Sequence, residues 1–392
     1  MAFEFSSLNA AQAEAVNALD GPVLILAGAG TGKTRTVTCR ISHMVERGIA
    51  PENILAVTFT NKAASEMRER VADMVSKAAG KEITVCTFHS LCVRILRTGI
   101  DRLGYKNNFT IYSGNDQTGL IKQIIIRKGG AQEKIEPGMV LSIISKAKNA
   151  GGDADSIQDP FIADIARAYQ NELRAQNAVD FDDLLLLAER LLREFPDVCE
   201  ICRKRWTRVT VDEFQDTNGL QMRLLQQLVG EPYHVCVVGD DDQSIYGWRG
   251  AEVENILQFE KFFPNPKVIR LENNYRSSEA IIHTANSLIV HNVGRREKQL
   301  RSVKPVGDPL RIISMPGDEE EAEFISHEIT ELHRVEKKPL EDIAILFRTN
   351  SQCRHLELAL RKEQIPYRMI GAQSFYDKRE VRDMLAYLQV LA

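Results

Sequence analysis

Apolar residues along this chain fall into two alternating patterns: short runs rich in β-branched side chains, and longer stretches in which apolar positions recur every three or four residues. The short runs, at residues 23–27, 54–59, 83–87, 209–212, 235–240 and 268–271, each lead into turn or helix-start residues and predict buried strands. Strands separated by amphipathic helices imply crossover connections, so the expected class is α/β, with a mostly parallel sheet between two helical layers. From Ser90 to about Arg205 the short runs stop and helical periodicity takes over, broken at Gly129-Gly130 and Gly151-Gly152, which predicts a helical insertion. After Leu271 the alternation resumes with strand-like runs at 310–313 and 343–347, the expected start of a second α/β unit. The final amphipathic stretch, Val381 to Leu391, has no glycine cap or polar tail and reads as a longer domain interrupted.

Composition narrows the class without changing it. With 392 residues, 44% hydrophobic and 27% charged, the chain has ordinary globular composition and room for two or three domains, which excludes a disordered tail, a collagen-like repeat or a small disulfide scaffold. No apolar run approaches the roughly 20 residues that span a bilayer. The opening MAFEFSSLNAAQ lacks the basic and apolar regions of a secretory signal, so a cytoplasmic protein without a membrane partner is expected. Seven cysteines, an odd number set in apolar segments, predict reduced thiols. Cys199 and Cys202 form a C-x-x-C with no second Cys or His pair nearby in sequence, which disfavours zinc or redox chemistry. Fifty basic against 54 acidic side chains give a net charge of −4, so any nucleic-acid binding must be local. The acidic run Asp318 to Glu323 reads as a solvated helix start, and the basic cluster Arg295, Arg296, Lys298, Arg301 and Lys304 as either a solvated face or a phosphate contact.

The strongest chemical signal follows the first strand: Ala27-Gly28-Ala29-Gly30-Thr31-Gly32-Lys33-Thr34, then an amphipathic helix. This is a phosphate-binding loop in which Ala27 replaces the usual first glycine. Small residues let backbone N–H groups converge on phosphate oxygens, Lys33 can reach the β and γ phosphates, and the Thr34 hydroxyl can ligate Mg²⁺. A glycine-rich turn without a ligand explains the glycines but not the Gly-Lys-Thr that opens the helix. The strand-like residues up to Val211 run into Asp212-Glu213-Phe214-Gln215-Asp216. A carboxylate at that strand's carboxyl end is placed to hold Mg²⁺, and its neighbour to deprotonate water, so Asp212 is the candidate metal ligand and Glu213 the candidate base. Taken alone, the Asp-Glu pair would be an ordinary solvated turn.

With these residues in hand, the chain resembles superfamily 1 DNA helicases of the UvrD/Rep/PcrA type. Leu8-Asn9-x-x-Gln12 resembles the adenine-reading Q motif, residues 27–34 motif I, residues 56–64 motif Ia, and Thr87-Phe88-His89-Ser90 motif Ib. Residues 211–217 resemble motif II, residues 238–250 motif III, and Leu271-Glu272-Asn273-Asn274-Tyr275-Arg276-Ser277-Ser278 motif IV. The family's motif I commonly begins with alanine.

The resemblance implies two RecA-like motor domains: the first at 1–89 and 206–271, carrying a helical insertion at 90–205, and a partial second at 272–392. It implies ATP as cofactor, with Gln12 on the adenine edge, Tyr275 against the base, Arg35 beside it, Arg276 on the γ-phosphate and Gln243 sensing that phosphate. It implies single-stranded DNA and single-strand/duplex junctions as partners, contacted by Thr58, Phe59, Thr60, Asn61, His89, Phe181, Tyr246 and Trp248, and movement from 3′ to 5′. Aromatic faces stack on bases without reading sequence, and Thr58, Thr60 and Asn61 offer neutral phosphate donors. Motifs V and VI of the family are not found in this sequence. A nucleotide-gated DNA-binding module without unwinding is the alternative; a nucleotide switch or metabolic kinase would not explain Gln12, Tyr275 and the motif III segment together.

Overall fold

In a computed structural model, residues 7–129, 135–370 and 384 are described. The chain divides into two compact units, 1–309 and 310–392. The first is organised by six strands: β1 (Val23–Ala27), β2 (Ile54–Thr58), β3 (Thr84–Thr87), β4 (Arg208–Val211), β5 (Val235–Gly239) and β6 (Lys267–Leu271). They lie in the order β3-β2-β4-β5-β1-β6, and every pairing is parallel. β1 to β3 and β5 are buried along their whole length, which is why they read as continuous apolar runs rather than alternating ones. β6, at the edge, alternates and exposes Lys267 and Arg270.

Each face of the sheet has its own core. One packs Val23, Ile25, Ile54, Ala56 and Val238 against Val37, Ile41 and Met67 of the helices Lys33–Glu46 and Asn61–Met74. The other packs Leu24, Leu26, Val57 and Val211 against Phe88, Leu184, Leu191 and Leu224. A third core, built from Leu120, Ile121, Val140, Ile165 and Tyr169, lies wholly inside the helical region between β3 and β4. That region is helical as expected, apart from a two-residue parallel ladder joining Thr110–Ile111 to Ala178–Val179.

Register aligns the carboxyl ends of the strands, Leu26 facing Gly239, Ala27 facing Leu271 and Val211 facing Val237. Residues just beyond them therefore converge on one rim, where open parallel sheets bind ligands. Phe59, expected inside a strand, lies one residue past β2 and so faces that rim.

The second unit has the helices Asp318–Arg334 and Cys353–Lys362 packed together. The acidic run does open a helix, with Asp318, Glu319, Glu320 and Glu321 in its first turn, where the helix dipole favours negative charge. The strands expected at 310–313 and 343–347 are not formed among the described residues. Ile312 is fully exposed and Leu346 nearly so. A strand exists only with a neighbour about 4.8 Å away to complete its ladder, and no described residue supplies one. The helical stretch expected from Val381 to Leu391 lies outside the described residues but for Met384. No helix among the described residues is long and apolar enough to cross a membrane.

Candidate nucleotide site and nucleic-acid platform

The loop after β1 is shaped by two glycines. Gly30 and Gly32 have φ of 71° and 84°, the left-handed region that side chains disfavour. A Cβ on Gly30 would also lie 2.6 Å from Arg276 Cβ and 2.7 Å from Asn274 Nδ2, so the loop can approach this segment only as glycine. Gly32 leads into the helix Lys33–Glu46, whose first turn no side chain caps. Its N–H groups and dipole face the rim, a geometry suited to phosphate.

Lys33 Nζ lies 2.8 Å from Glu213 Oε2. Glu213 follows β4 in a left-handed turn, φ 51°, a conformation that costs a non-glycine residue roughly 1–3 kcal/mol and is typical of functional sites. Burial would raise its carboxyl, but Lys33 and the Gln215 amide outweigh that and hold it below the usual carboxylate range. Glu213 is therefore ionised at neutral pH, as a base must be. Asp212 is buried, and burial, then the Glu213 charge, push its carboxyl up to about 6. One Asp212 oxygen accepts the Glu213 N–H at 3.0 Å; the other accepts no hydrogen bond among the described residues. A buried carboxylate held in this way fits a cation. No group of three or more His, Cys, Asp or Glu able to hold a metal occurs among the described residues, so Mg²⁺ would share Asp212 and the Thr34 hydroxyl with phosphate oxygens and water.

Gln215, to which the sequence assigned no role, joins the parts. Its Nε2 donates to Glu213 Oε2 at 2.9 Å, and its Oε1 accepts the Asp240 N–H at 3.0 Å. Gln243 Nε2 in turn donates to Asp240 Oδ2 at 2.5 Å. Lys33, Glu213, Gln215, Asp240 and Gln243 thus form one continuous polar path across the ends of β1, β4 and β5.

Asn274, also without an assigned role, braces the loop from the other side. Its Nδ2 donates to Ala29 O at 2.6 Å, while its Oδ1 accepts the N–H groups of Arg276 and Ser277. Tyr275 N donates to Gly30 O at 2.9 Å, and its half-exposed ring receives Asn9 Nδ2 on the hydroxyl at 2.8 Å. Arg276 is exposed beside the loop, its guanidinium unpaired among the described residues. Gln12 is buried, with its amide already engaged: Nε2 donates to Thr31 O at 2.9 Å, and Oε1 accepts the Asn9 N–H in a capping box. Here it braces the loop instead of presenting a free edge. Arg35 donates to Ser7 Oγ.

The expected nucleic-acid contacts form two aromatic groups. Phe59 stacks on Tyr246, centroids 5.4 Å apart and planes 20° from parallel, and Trp248 lies 6.4 Å beyond Tyr246. Trp248 is 74% exposed, so it is not a core residue. His89 meets Phe181 edge-on at 5.8 Å, with Phe181 half-exposed. Burial holds the His89 imidazole below its usual range against the pull of Asp182, so it is neutral at physiological pH. Thr60 caps the helix Asn61–Met74 by accepting the Ala63 N–H at 3.1 Å, and Asn61 is exposed. Thr58 differs: it ends β2 opposite Thr87, is fully buried, and its hydroxyl has no surface to offer a phosphate in this conformation.

Of the basic cluster after Val290, Arg301 and Lys304 are exposed, as a solvated face would be, but Arg295, Arg296 and Lys298 are neither of the two things expected. Arg295 pairs with Asp242, Arg296 with Glu260, and Lys298 with Asp240, Asp241 and Asp242. Their partners lie more than 35 residues away in sequence, beyond the reach of local pattern. Lys304 donates to Arg276 O at 2.7 Å. All seven cysteines are buried and none forms a disulfide; burial raises the Cys199 thiol and takes Cys202 to about 11, so both are protonated at neutral pH.

Comparison with known proteins agrees with this geometry. Residues 8–264 match the UvrD/REP helicase N-terminal domain, and residues 269–392 match the UvrD-like helicase C-terminal domain. The chain is 43% identical over 98% of its length to an ATP-dependent DNA helicase PcrA of Staphylococcus epidermidis, and 42% identical to PcrA of Staphylococcus aureus, in each case covering 54% of the relative. It therefore spans about half the length of these curated relatives. The chain belongs to the UvrD/REP helicase family.

Proposed function

We propose that this member of the UvrD/REP family is the ATP-hydrolysing motor portion of a DNA helicase, acting on single-stranded DNA and single-strand/duplex junctions in the cytoplasm and moving 3′ to 5′. The observation that carries the reading is the unbroken polar path from Lys33 through Glu213, Gln215 and Asp240 to Gln243. It ends three residues before Tyr246, which stacks on Phe59. A change at the phosphates can therefore reach the aromatic platform through one short segment.

The chemistry follows from the residues. The loop N–H groups and Lys33 take the triphosphate, and Lys33 leaves Glu213 as it turns to the phosphate oxygens. The released Glu213 carboxylate accepts a proton from water as the new O–P bond forms and the bond between the γ-phosphorus and the ADP oxygen breaks. Arg276, beside Gly30 with an uncommitted guanidinium, stabilises charge on the departing phosphoryl group. Mg²⁺, held by Thr34 and Asp212, would neutralise charge on the phosphates. Gln243 registers the γ-phosphate, and its movement shifts Tyr246 and Trp248 under the stacked bases.

Steady-state ATP hydrolysis with and without a single-stranded oligonucleotide tests this, with Lys33→Ala as the blank. Stimulation by the oligonucleotide is expected. Hydrolysis indifferent to DNA would contradict the nucleic-acid half of the proposal, and binding of both ligands without turnover would assign a gated binding platform instead. A fluorescent strand labelled at either end would check direction.

A further inference from the structure

The segment 295–302 touches three parts of the nucleotide site. Arg301–Ser302 pairs in parallel with Asn273–Asn274, the residues that brace the phosphate loop. Leu300 packs so closely on Gly28 that a Cβ there would lie 2.4 Å from Leu300 Cδ2. Lys298 reaches the other way, its Nζ 2.9 Å from Asp240 Oδ1, 2.6 Å from Asp241 Oδ1 and 2.8 Å from Asp242 Oδ2. The lysine side chain is only 2% exposed, and Arg295 supplies a second cation through a two-pronged contact with Asp242. Asp240 is the pivot of this cluster: one oxygen is held by Lys298 and by the Asp242 N–H, the other by the Gln243 amide.

We infer that Lys298 is a positioning residue that fixes Gln243 through Asp240, and that segment 295–302 is a strap setting the distance between this sensor and the phosphate loop. Three adjacent carboxylates would repel one another and open the short 3₁₀ turn Asp241–Gln243; a buried cation shared among them holds the turn closed. Anchoring on both Gly28 and Asp240 lets a displacement of the loop appear at Gln243 instead of being absorbed between them. The inference rests on the reading of Gln243 as the γ-phosphate sensor.

The test compares the 392-residue chain with Lys298→Gln and Lys298→Arg, using a fluorescent oligo-dT and a non-hydrolysable ATP analogue. In the parent chain, the analogue is expected to change oligo-dT affinity by about 5-fold or more, the low end of ordinary site-to-site coupling. In Lys298→Gln, affinity for each ligand alone is expected within about threefold of the parent while the coupling falls to about onefold, and Lys298→Arg should retain most of it. A residue that merely supported the fold would lower both affinities together and would not be rescued by arginine. If Lys298→Gln fails to fold, Asp241→Asn, which keeps the lysine and two carboxylates, replaces it with a partial loss of coupling expected. Unchanged coupling in whichever variant folds overturns the role of Lys298. A parent chain whose oligo-dT affinity ignores the analogue overturns the proposed function, and this inference with it.

Discussion

Two lysines separated by 265 residues of chain meet carboxylates on the same rim of the sheet, and they differ in how fully they are used. Among the described residues Lys33 has a single partner, Glu213, and it retains 12% exposure, beside a loop with uncapped N–H groups. Lys298 has three partners and almost no exposure. A cation with one exchangeable carboxylate can be taken over by an incoming phosphate; a cation saturated by three buried carboxylates cannot, because any exchange leaves charges buried and unpaired. On the proposed function, the first arrangement belongs to chemistry and the second to the frame that aims it. Residue type alone does not separate them; the number of partners and the route to solvent do.

The sharpest way to break this contrast is to disable each lysine's partner set and ask which property fails. Glu213→Gln is expected to lower ATP hydrolysis by about 10²–10⁴-fold, the usual share of a general base, while the melting temperature hardly moves. Next in size, Lys298→Gln should lower unfolding free energy by about 3–5 kcal/mol, as expected when one member of a buried ion cluster is removed, measured by denaturant titration. If instead Glu213→Gln mainly unfolded the protein, or Lys298→Gln left stability unchanged, the two roles would have been assigned the wrong way round.

The same contrast marks what could be read in the sequence. The places in the fold of the glycine-rich loop, Asp212, Glu213 and the sheet strands were legible because each depends on neighbours within a few residues: glycine spacing, an apolar run, a carboxylate at its end. Lys298 was not, since its partners are 56 to 58 positions earlier in the chain and a cluster of basic residues looks the same whether it faces water, phosphate or buried aspartates. Gln215 and Asn274 escaped for a related reason. A single polar residue in a turn carries no periodic signal, and only the parallel register that brings the ends of β1, β4, β5 and β6 together makes each a bridge. Runs 310–313 and 343–347 show the converse, with strand composition but no ladder among the described residues.

Smaller effects sharpen the contrast at the platform. Trp248→Ala should weaken single-strand binding by about 1–3 kcal/mol, the worth of one stacked base, without changing ATP affinity in the absence of DNA; anisotropy with a labelled oligonucleotide reads this directly. The weakest effect concerns pH. Burial opposes the charge on Asp242, but bonds from Arg295 and Lys298 prevail and hold its carboxyl below the ordinary range. Its contribution is therefore fully present above the ordinary carboxylate range and is lost as pH falls through the lowered value. Burial likewise opposes the charge on Lys298, and its carboxylates raise it above the ordinary lysine value. That contribution is present below the ordinary lysine range and disappears as pH rises through the raised value. The melting-temperature difference between the parent and Lys298→Gln should accordingly form a plateau across neutral pH and shrink at both ends, whereas a flat difference would remove the cluster's titration from the account.

Transmission of nucleotide state to the aromatic platform has a built-in reporter. Of the two tryptophans in the chain, Trp206 is buried and bonded to Thr84, while Trp248 stands exposed beside Tyr246, beyond the end of the polar path at Gln243. Titrating single-stranded DNA while following tryptophan fluorescence, with and without a non-hydrolysable ATP analogue, therefore reads Trp248. DNA is expected to quench this signal, and the analogue to shift the titration midpoint in the parent chain but not in Gln243→Ala. Superimposable titrations with and without the analogue would contradict this transmission.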